Sequence, residues 1–223
     1  MPIHRLMCVL TSALVLTAMP AAADDQPPEP STEQDVYALD ELERSVPAKG
    51  KMQCPTVPLV TYRGDVLRYH APVRVYVGFR DRLRKFEHVA REVAIEVYGR
   101  APSKIVHIGT LNCRRIRLWP TLLSEHGIGN GIDIAGFDFA AQANGQPKDN
   151  PLPAGLRRSF SVRVKSHWTA TGPTGELHAK FLRLLTDRLE ARHDIFRVLL
   201  GPAYPGHHDH FHFDCAPWRL VEI

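Results

Sequence analysis

The stretch HHDHFHFD, at positions 207–214, alternates imidazole or carboxylate side chains with phenylalanines. Successive side chains of a β-strand point to opposite faces, so Phe211 and Phe213 would face a core. The other face would then carry three polar side chains, those of His210, His212 and Asp214. A disordered histidine tract has no reason to carry phenylalanine at alternate positions. The stretch therefore predicts a fixed strand with one apolar side and one side suited to a site.

A second stretch, SEHGIGNGID at positions 124–133, places His126 and Asp133 seven residues apart with three glycines between them. The glycines prevent a regular helix and allow the backbone to turn tightly. Asp133 then falls in an otherwise apolar run that alternation predicts as a strand. A carboxylate there needs a partner, because burying a free charge is costly. That partner is either a metal ion or His126 itself.

Together the two stretches offer neutral imidazole nitrogens and a carboxylate oxygen, which is a ligand set that suits zinc. Three protein ligands with one open position form a catalytic arrangement rather than a structural one. Bound zinc lowers the pKa of its water to about 7 and polarises a carbonyl group. A nearby base must then move a proton, and three residues are close enough in sequence to do so: His207, Asp209 and His210.

The rest of the chain mixes helical and strand periodicity without a regular βαβ alternation. Apolar residues at spacings of three and four predict one helix between Asp81 and Gly99, and a second between Gly175 and Asp194. The pattern favours an α+β domain with a mainly antiparallel sheet flanked by helices. The strand-like runs lie at positions 73–77, 104–108, 132–137, 160–164, 196–200 and 210–214.

The N-terminus has the order of a secretory signal peptide: Arg5, an uncharged apolar run, then the small residues Ala21–Ala23. We expect cleavage after Ala23, a periplasmic or secreted protein, and no stable membrane anchor after cleavage; an uncleaved anchor is the alternative. The signal peptide would occupy residues 1–23. Residues 24–50 begin with a proline- and acid-rich run and are predicted to be a disordered linker. The folded domain would then occupy residues 51–223.

The composition gives no support for a nucleic-acid partner, because 28 Lys and Arg against 24 Asp and Glu leave a net charge of only +4. Three cysteines follow the predicted cleavage site: Cys54, Cys113 and Cys215. Export would place them in an oxidising compartment, where one disulfide can form. Sequence leaves the three pairings open. We favour Cys113 with Cys215, because both flank the two stretches described above.

The two stretches resemble parts of a known family. Their order along the chain, with Cys113-Arg114 before them and Gly201-Pro202 between them, is similar to that of the bacterial extensin-like C-terminal domain family. SEHGIGNGID also resembles the S-x-H-x-x-G-x-A-x-D motif of the LAS zinc peptidases, with Gly131 where alanine is usual. HHDHFH resembles the penicillin-insensitive murein endopeptidases. The resemblance covers roughly residues 71–217 and implies a LAS or hedgehog/DD-peptidase-like fold.

The resemblance also implies a role for each site residue. The ligands of a Zn²⁺ ion would be His126, Asp133 and His212. His210 would assist the water or stabilise the tetrahedral intermediate, while Asp209 stands where other branches place an acidic general base. Because ideal alternation turns Asp209 away from the metal face, we rank His210 first. Two further residues have roles by resemblance: His207 as an additional site histidine, and Arg114 as the group that holds the developing oxyanion.

The sequence thus predicts a zinc metallopeptidase that hydrolyses an amide bond in peptidoglycan, which would be its partner. The likeness of HHDHFH to the murein endopeptidases favours a D,D-endopeptidase over a carboxypeptidase. Two alternatives from other classes stay open. One is a non-catalytic module that binds the cell wall, and the other is a periplasmic zinc-binding or zinc-storage protein.

Overall fold

A computed structural model describes residues 37–142 and 152–223 of the chain. The predicted signal peptide and its cleavage site lie outside the described residues. In the part that the structure describes, no helix combines the length and the apolar character needed to cross a membrane.

Two long helices, α1 (Val77–Tyr98) and α3 (Gly172–Glu190), pack against one face of the larger sheet, and the short α2 (Val164–His167) precedes α3. Gly99 ends α1 as predicted, in a left-handed conformation, and donates its backbone N–H to Ile95. The start was predicted wrongly. The helix begins four residues before Asp81, because its apolar stripe extends back to the buried Phe79.

The strands form two sheets. β1 (Leu59–Tyr62) and β2 (Val73–Tyr76) form an antiparallel pair. The larger sheet has the order β3-β4-β7-β6-β8, with β5 paired to the far end of β4. Its strands are β3 (Lys104–Gly109), β4 (Gly131–Phe139), β5 (Phe160–Arg163), β6 (Val198–Leu200), β7 (Phe211–Asp214) and β8 (Leu220–Glu222).

The architecture is α+β, as predicted, but the larger sheet is mixed. Its neighbouring strands pair antiparallel except β6 and β8, which run parallel. The chain leaves β7, passes β6 and adds β8 to the far edge of β6, so β8 runs in the same direction as β6. The expectation of a mainly antiparallel sheet is therefore only partly met.

The alternation predicted for the two motif strands is present in the ladder between β4 and β7. Ile132 lies opposite Phe213 and Ile134 lies opposite Phe211, and all four side chains are fully buried. Phe213 contacts Phe86 of α1, with ring centroids 5.8 Å apart. This face belongs to the main core, so the side chains between these residues must project from the opposite face.

Residues 37–50, which the sequence analysis assigns to the linker, pack onto the domain. Tyr37 and Leu39 are buried, and the Tyr37 hydroxyl donates a hydrogen bond to Asn130 Oδ1 at 2.6 Å. The side chain of Arg44 is buried and forms an ion pair with Glu125 at 2.7 Å. The segment is irregular and only a few of its residues are buried, so its sequence shows no periodic pattern. The packed structure therefore includes residues 37–50 of the expected linker.

The disulfide joins Cys54 to Cys113, and Cys215 is a buried free thiol. The favoured pairing of Cys113 with Cys215 is therefore wrong. Cys215 directly follows β7 inside the core, where its Sγ lies 3.3 Å from the carbonyl oxygen of Ile195. Cys54 lies instead beside Gly127, next to the loop that carries Cys113.

Candidate metal centre

Three side chains converge on the face of the larger sheet opposite the helices. Asp133 of β4 and His212 of β7 are direct partners across the ladder, so their side chains leave the sheet side by side. The short 3₁₀ helix Glu125–Ile128 brings His126 to the same point. Asp133 Oδ1 lies 3.1 Å from His126 Nε2 and 2.9 Å from His212 Nδ1, and the two nitrogens are 3.1 Å apart. These three buried groups can hold a metal ion.

The outer nitrogen of each histidine has its own partner. His126 Nδ1 lies 2.9 Å from the carbonyl oxygen of Thr110, and His212 Nε2 lies 2.6 Å from Asp214 Oδ2. Both partners accept hydrogen bonds, so these outer nitrogens carry the hydrogens. The inner nitrogens, Nε2 of His126 and Nδ1 of His212, can then each offer a lone pair to a metal once any second proton has left. Such orientation by an outer partner is usual for histidines that ligate metals.

The glycines between His126 and Asp133 are needed for geometric reasons. Gly129 ends the 3₁₀ helix at φ 64°, and a Cβ there would lie 3.0 Å from the backbone nitrogen of Tyr76. A Cβ on Gly131 would lie 3.2 Å from Cβ of Asp214 and 3.4 Å from Cε1 of His212. Gly131, which stands where the motif usually has alanine, therefore leaves room for His212 and for its partner Asp214.

The charges at the centre depend on one another. Burial favours a raised pKa for Asp133, but hydrogen bonds and charge interactions with His126 and His212 hold its pKa well below the ordinary value. Burial favours a lowered pKa for His212, yet its contacts with Asp133 and Asp214 raise the pKa to about 10. Without a metal, His212 is therefore an imidazolium held between two carboxylates at neutral pH.

The donor set fits a first-row transition metal. Tetrahedral zinc ligands with bonds of about 2.0–2.1 Å stand roughly 3.3 Å apart, which is within a few tenths of an ångström of the separations here. Two imidazoles and one carboxylate favour zinc and its neighbours over calcium or magnesium, which prefer all-oxygen sites. The geometry leaves the choice among transition metals open.

The predicted catalytic histidines line one side of the centre. His210 Nε2 lies 3.8 Å from Asp133 Oδ1, and its Nδ1 lies 2.8 Å from Asp209 Oδ1. The ring of His207 packs against those of His210 and His212, at centroid distances of 4.9 and 5.7 Å. Burial, then the two neighbouring histidines, lower the pKa of His207 to about 4, so it is neutral at pH 7.

Asp209 and His210 have different surroundings. β7 begins at Phe211, so both residues lie in the turn before the strand. Asp209 contacts His210, and that hydrogen bond lowers the pKa of Asp209 below its ordinary value. The described contacts of Asp209 are with histidines of the turn, and those of His210 reach Asp133.

Arg114 lies near the second carboxylate oxygen of Asp133. Its Nη2 is 3.9 Å from Asp133 Oδ2, and its side chain is about half exposed. The backbone around it is tied to the motif loop, because its carbonyl oxygen accepts the N–H of Ser124 at 3.0 Å. Arg114 is therefore held near the metal centre without closing it.

The centre opens into a cleft of about 730 Å³ that crosses the larger sheet. Residues from β3, β4, β7, β6 and β8 all contribute to its lining, and the metal group lies on the two strands β4 and β7 within that order. Four large apolar residues are exposed in the described part of the chain, and three of them line this cleft: Ile108, Leu111 and Leu118. Exposed apolar side chains gathered at one cleft are typical of a binding surface.

Sequence reasoning missed several residues that hold the site. Thr110 acts through its carbonyl oxygen, which every residue type has, so no sequence signal could have found it. Glu125 was noticed only as part of a motif, and the structure shows that its carboxylate pairs with Arg44 of the N-terminal segment and with Asn130. Asp214 was placed on the correct face, but its contact with His212 required the structure.

The comparisons with known proteins give one match. The family described as Extensin-like protein C-terminus matches residues 32–222. Neither the curated proteins nor the solved structures yield a match. The match includes both motif stretches, the disulfide and the N-terminal segment that packs against Glu125. The chain therefore belongs to the Extensin-like protein C-terminus family.

Proposed function

We propose that the protein is a zinc-dependent peptidase that hydrolyses an amide bond within the peptides of peptidoglycan. The observation that carries the proposal is the buried group His126, Asp133 and His212 at the floor of an open cleft. The likeness of its two motifs to the LAS peptidases, and the fold that this likeness implies, belong to the same proposal.

The three ligands would hold zinc and leave a coordination position facing the cleft. Bound zinc lowers the pKa of a coordinated water and polarises a carbonyl group. The chain itself must then supply the proton transfer, the charge stabilisation and the binding of the peptide.

His210 is the group best placed to move the proton. Asp209 accepts the hydrogen of His210 Nδ1, which leaves Nε2 with a lone pair on the side of Asp133. Nε2 can accept a proton from the attacking water and deliver it to the leaving amine. Asp209 orients the ring and stabilises its positive charge, so it acts as a positioning residue.

Two other residues would support the reacting carbonyl. Arg114 has a guanidinium near Asp133 Oδ2, where it can donate hydrogen bonds to an oxygen that gains negative charge. His207 is neutral, so it contributes a hydrogen bond rather than a charge. Both assignments follow the resemblance in the motifs and agree with the positions of the side chains.

The position of the metal-binding strands within the sheet favours an endopeptidase. The strand order from β3 to β8 spans about 19 Å at the usual strand spacing. Because β4 and β7 lie within this order, a bound peptide could continue on both sides of the metal. A carboxypeptidase needs a cleft that is closed on one side, where the chain end is held.

The test is digestion of purified sacculi with the zinc-loaded protein, read by the mass of the released peptides. We expect new amino termini, loss of release with a chelator, and recovery on adding zinc. His210→Ala should lower the rate by about 10²–10⁴-fold while the protein keeps one zinc per chain, because this change removes the base and no ligand.

Asp209→Asn is the matched control. It should lower the rate of peptide release less than His210→Ala does, and a larger loss of rate would indicate that Asp209 is the base. Sacculi that bind the protein but release nothing would support the wall-binding module instead. More than one zinc per chain, retained by His126→Ala, would support a storage protein.

A further inference from the structure

Three arginines of one cleft-lining loop have different surroundings. Arg114 lies near Asp133, as described above. Arg115 donates hydrogen bonds to the carbonyl oxygens of Pro47 and Gly50 at 2.6 and 3.0 Å, so its guanidinium is committed to the N-terminal segment. Arg117 is exposed, lines the cleft, and has no role in the mechanism above.

The guanidinium of Arg117 lies against another segment that lines the cleft, residues 205–206. Its Nη2 lies 3.4 Å from the carbonyl oxygen of Pro205. A Cβ on Gly206 would lie 2.9 Å from the same nitrogen, so the missing side chain makes room for the guanidinium. Within residues 37–142 and 152–223, no carboxylate pairs with Arg117, whereas Arg80, Arg163 and Arg188 each have one.

Arg117 is within reach of a substrate bound at the metal. The Pro205 carbonyl that accepts its hydrogen bond also lies 3.3 Å from His207 Nδ1. The ring of His207 is 5.7 Å from that of His212. These contacts limit the separation of the His212 ring and the Arg117 guanidinium to at most about 14 Å, roughly four residues of an extended peptide.

We propose that Arg117 binds a carboxylate of the substrate, on the His207 side of the cleaved bond and within about four residues of it. A planar guanidinium with several unused donors matches a carboxylate in two-point geometry. This inference rests on the proposed peptidase function and adds a charge requirement to it. The residue selects an acidic peptide over its amidated form.

The experiment uses the zinc-loaded full chain and synthetic murein stem peptides, with each carboxyl group in turn free or amidated. Wild-type protein should prefer one free acid over its amide by about 10–100-fold in kcat/KM, mainly through KM. Because KM for the free acid should rise to the value for the amide, Arg117→Gln should abolish that preference. Arg117→Lys should restore only part of it, because lysine keeps the charge but loses the planar fork.

Arg80→Gln removes the same charge from an exposed pair outside the cleft lining, and it should keep the full preference. A wild-type enzyme that cleaves acids and amides equally, or an Arg117→Gln variant that still discriminates, would overturn the inference. If no peptide is cleaved by any variant, the proposed function fails instead. Binding of the same labelled peptides, measured by fluorescence polarisation, then tests the carboxylate contact by itself.

Discussion

His212 holds an excess proton when no metal is bound. It lies between Asp133 and Asp214, with distances of 2.9 and 2.6 Å, and these carboxylates stabilise its imidazolium form. The inner nitrogen can bind a metal only after that proton has left. These ion pairs therefore compete with metal binding.

This competition should make the proposed binding of zinc depend on pH. Because contacts with the two carboxylates outweigh burial and raise the pKa of His212 to about 10, the imidazolium persists through neutral pH and one proton must leave. We expect the association constant of zinc to rise about tenfold per pH unit between pH 6 and 8. Titration against a competing chelator at several pH values measures it.

Asp214→Asn provides the control for that titration. It removes one of the two carboxylates that hold the proton, so the dependence on pH should become shallower. It should also weaken zinc binding about 10–100-fold at pH 8, since the outer partner of His212 is lost. A binding constant independent of pH in the wild type would contradict the charge state described for His212.

At the scale of single residues, the sequence predicted what depends on strand alternation. Asp133 and His212 share a face, and they are partners across the ladder. Alternation ranked His210 ahead of Asp209, but both residues lie in a turn, where the strand rule no longer applies. Contacts through backbone atoms, such as that of Thr110, leave no mark on residue type.

Among the elements, the 3₁₀ helix that carries His126 depends on the disulfide. A Cβ on Gly127 would lie 2.7 Å from Cys54 Sγ, so the backbone next to the ligand rests on the sulfur. One residue before Cys113, the backbone N–H of Asn112 donates to the carbonyl oxygen of His126 at 2.9 Å. The disulfide thus braces the ligand from two directions.

Removing the disulfide should affect both stability and metal binding. Cys54→Ala with Cys113→Ala opens a loop of 59 residues. We expect a loss of about 4 kcal/mol in the free energy of unfolding, or a fall in Tm on the order of 10 °C. Zinc affinity should fall as well, because the bracing of His126 is lost. Calorimetry and chelator competition measure the two effects.

Cys215→Ser is the matched control, since it changes a buried cysteine outside the disulfide and keeps a donor for Ile195. It should leave zinc affinity unchanged. A double variant that unfolds more easily but binds zinc as tightly as the wild type would show that the disulfide contributes to stability and not to metal binding.

Most helices and strands were predictable where the pattern of apolar residues repeats over enough positions. Both long helices were found from their apolar stripes, and β4 and β7 from alternation. β1 and β8 were missed, since four and three residues carry too little pattern to separate a strand from a loop. The pairing of β8 with β6 depends on contacts remote in sequence.

For the whole molecule, the N-terminal segment is an integral support of the site. Arg44 is buried against Glu125, and Asn130 donates a hydrogen bond to the same carboxylate. Burial raises the pKa of Glu125, while Arg44 favours its charged form. Glu125 directly precedes the ligand His126, so the segment and the metal loop share one buried ion pair.

Arg44→Ala should be strongly destabilising, because it leaves a buried carboxylate without its cation. We expect a loss of about 3–5 kcal/mol in the free energy of unfolding, measured by urea denaturation. Arg80→Ala, which breaks the exposed pair with Asp81, should cost less than about 1 kcal/mol. Equal costs for the two variants would show that the segment contributes little to the fold.

The position of the disulfide also constrains how the protein matures. In a reduced chain, the thiols of Cys54 and Cys113 would stand beside the histidine loop, and thiolates are strong ligands for zinc. A metal that arrived first could be captured by sulfur in a wrong coordination sphere. Oxidation withdraws these competing ligands, so correct binding of the proposed metal would require the disulfide to form first.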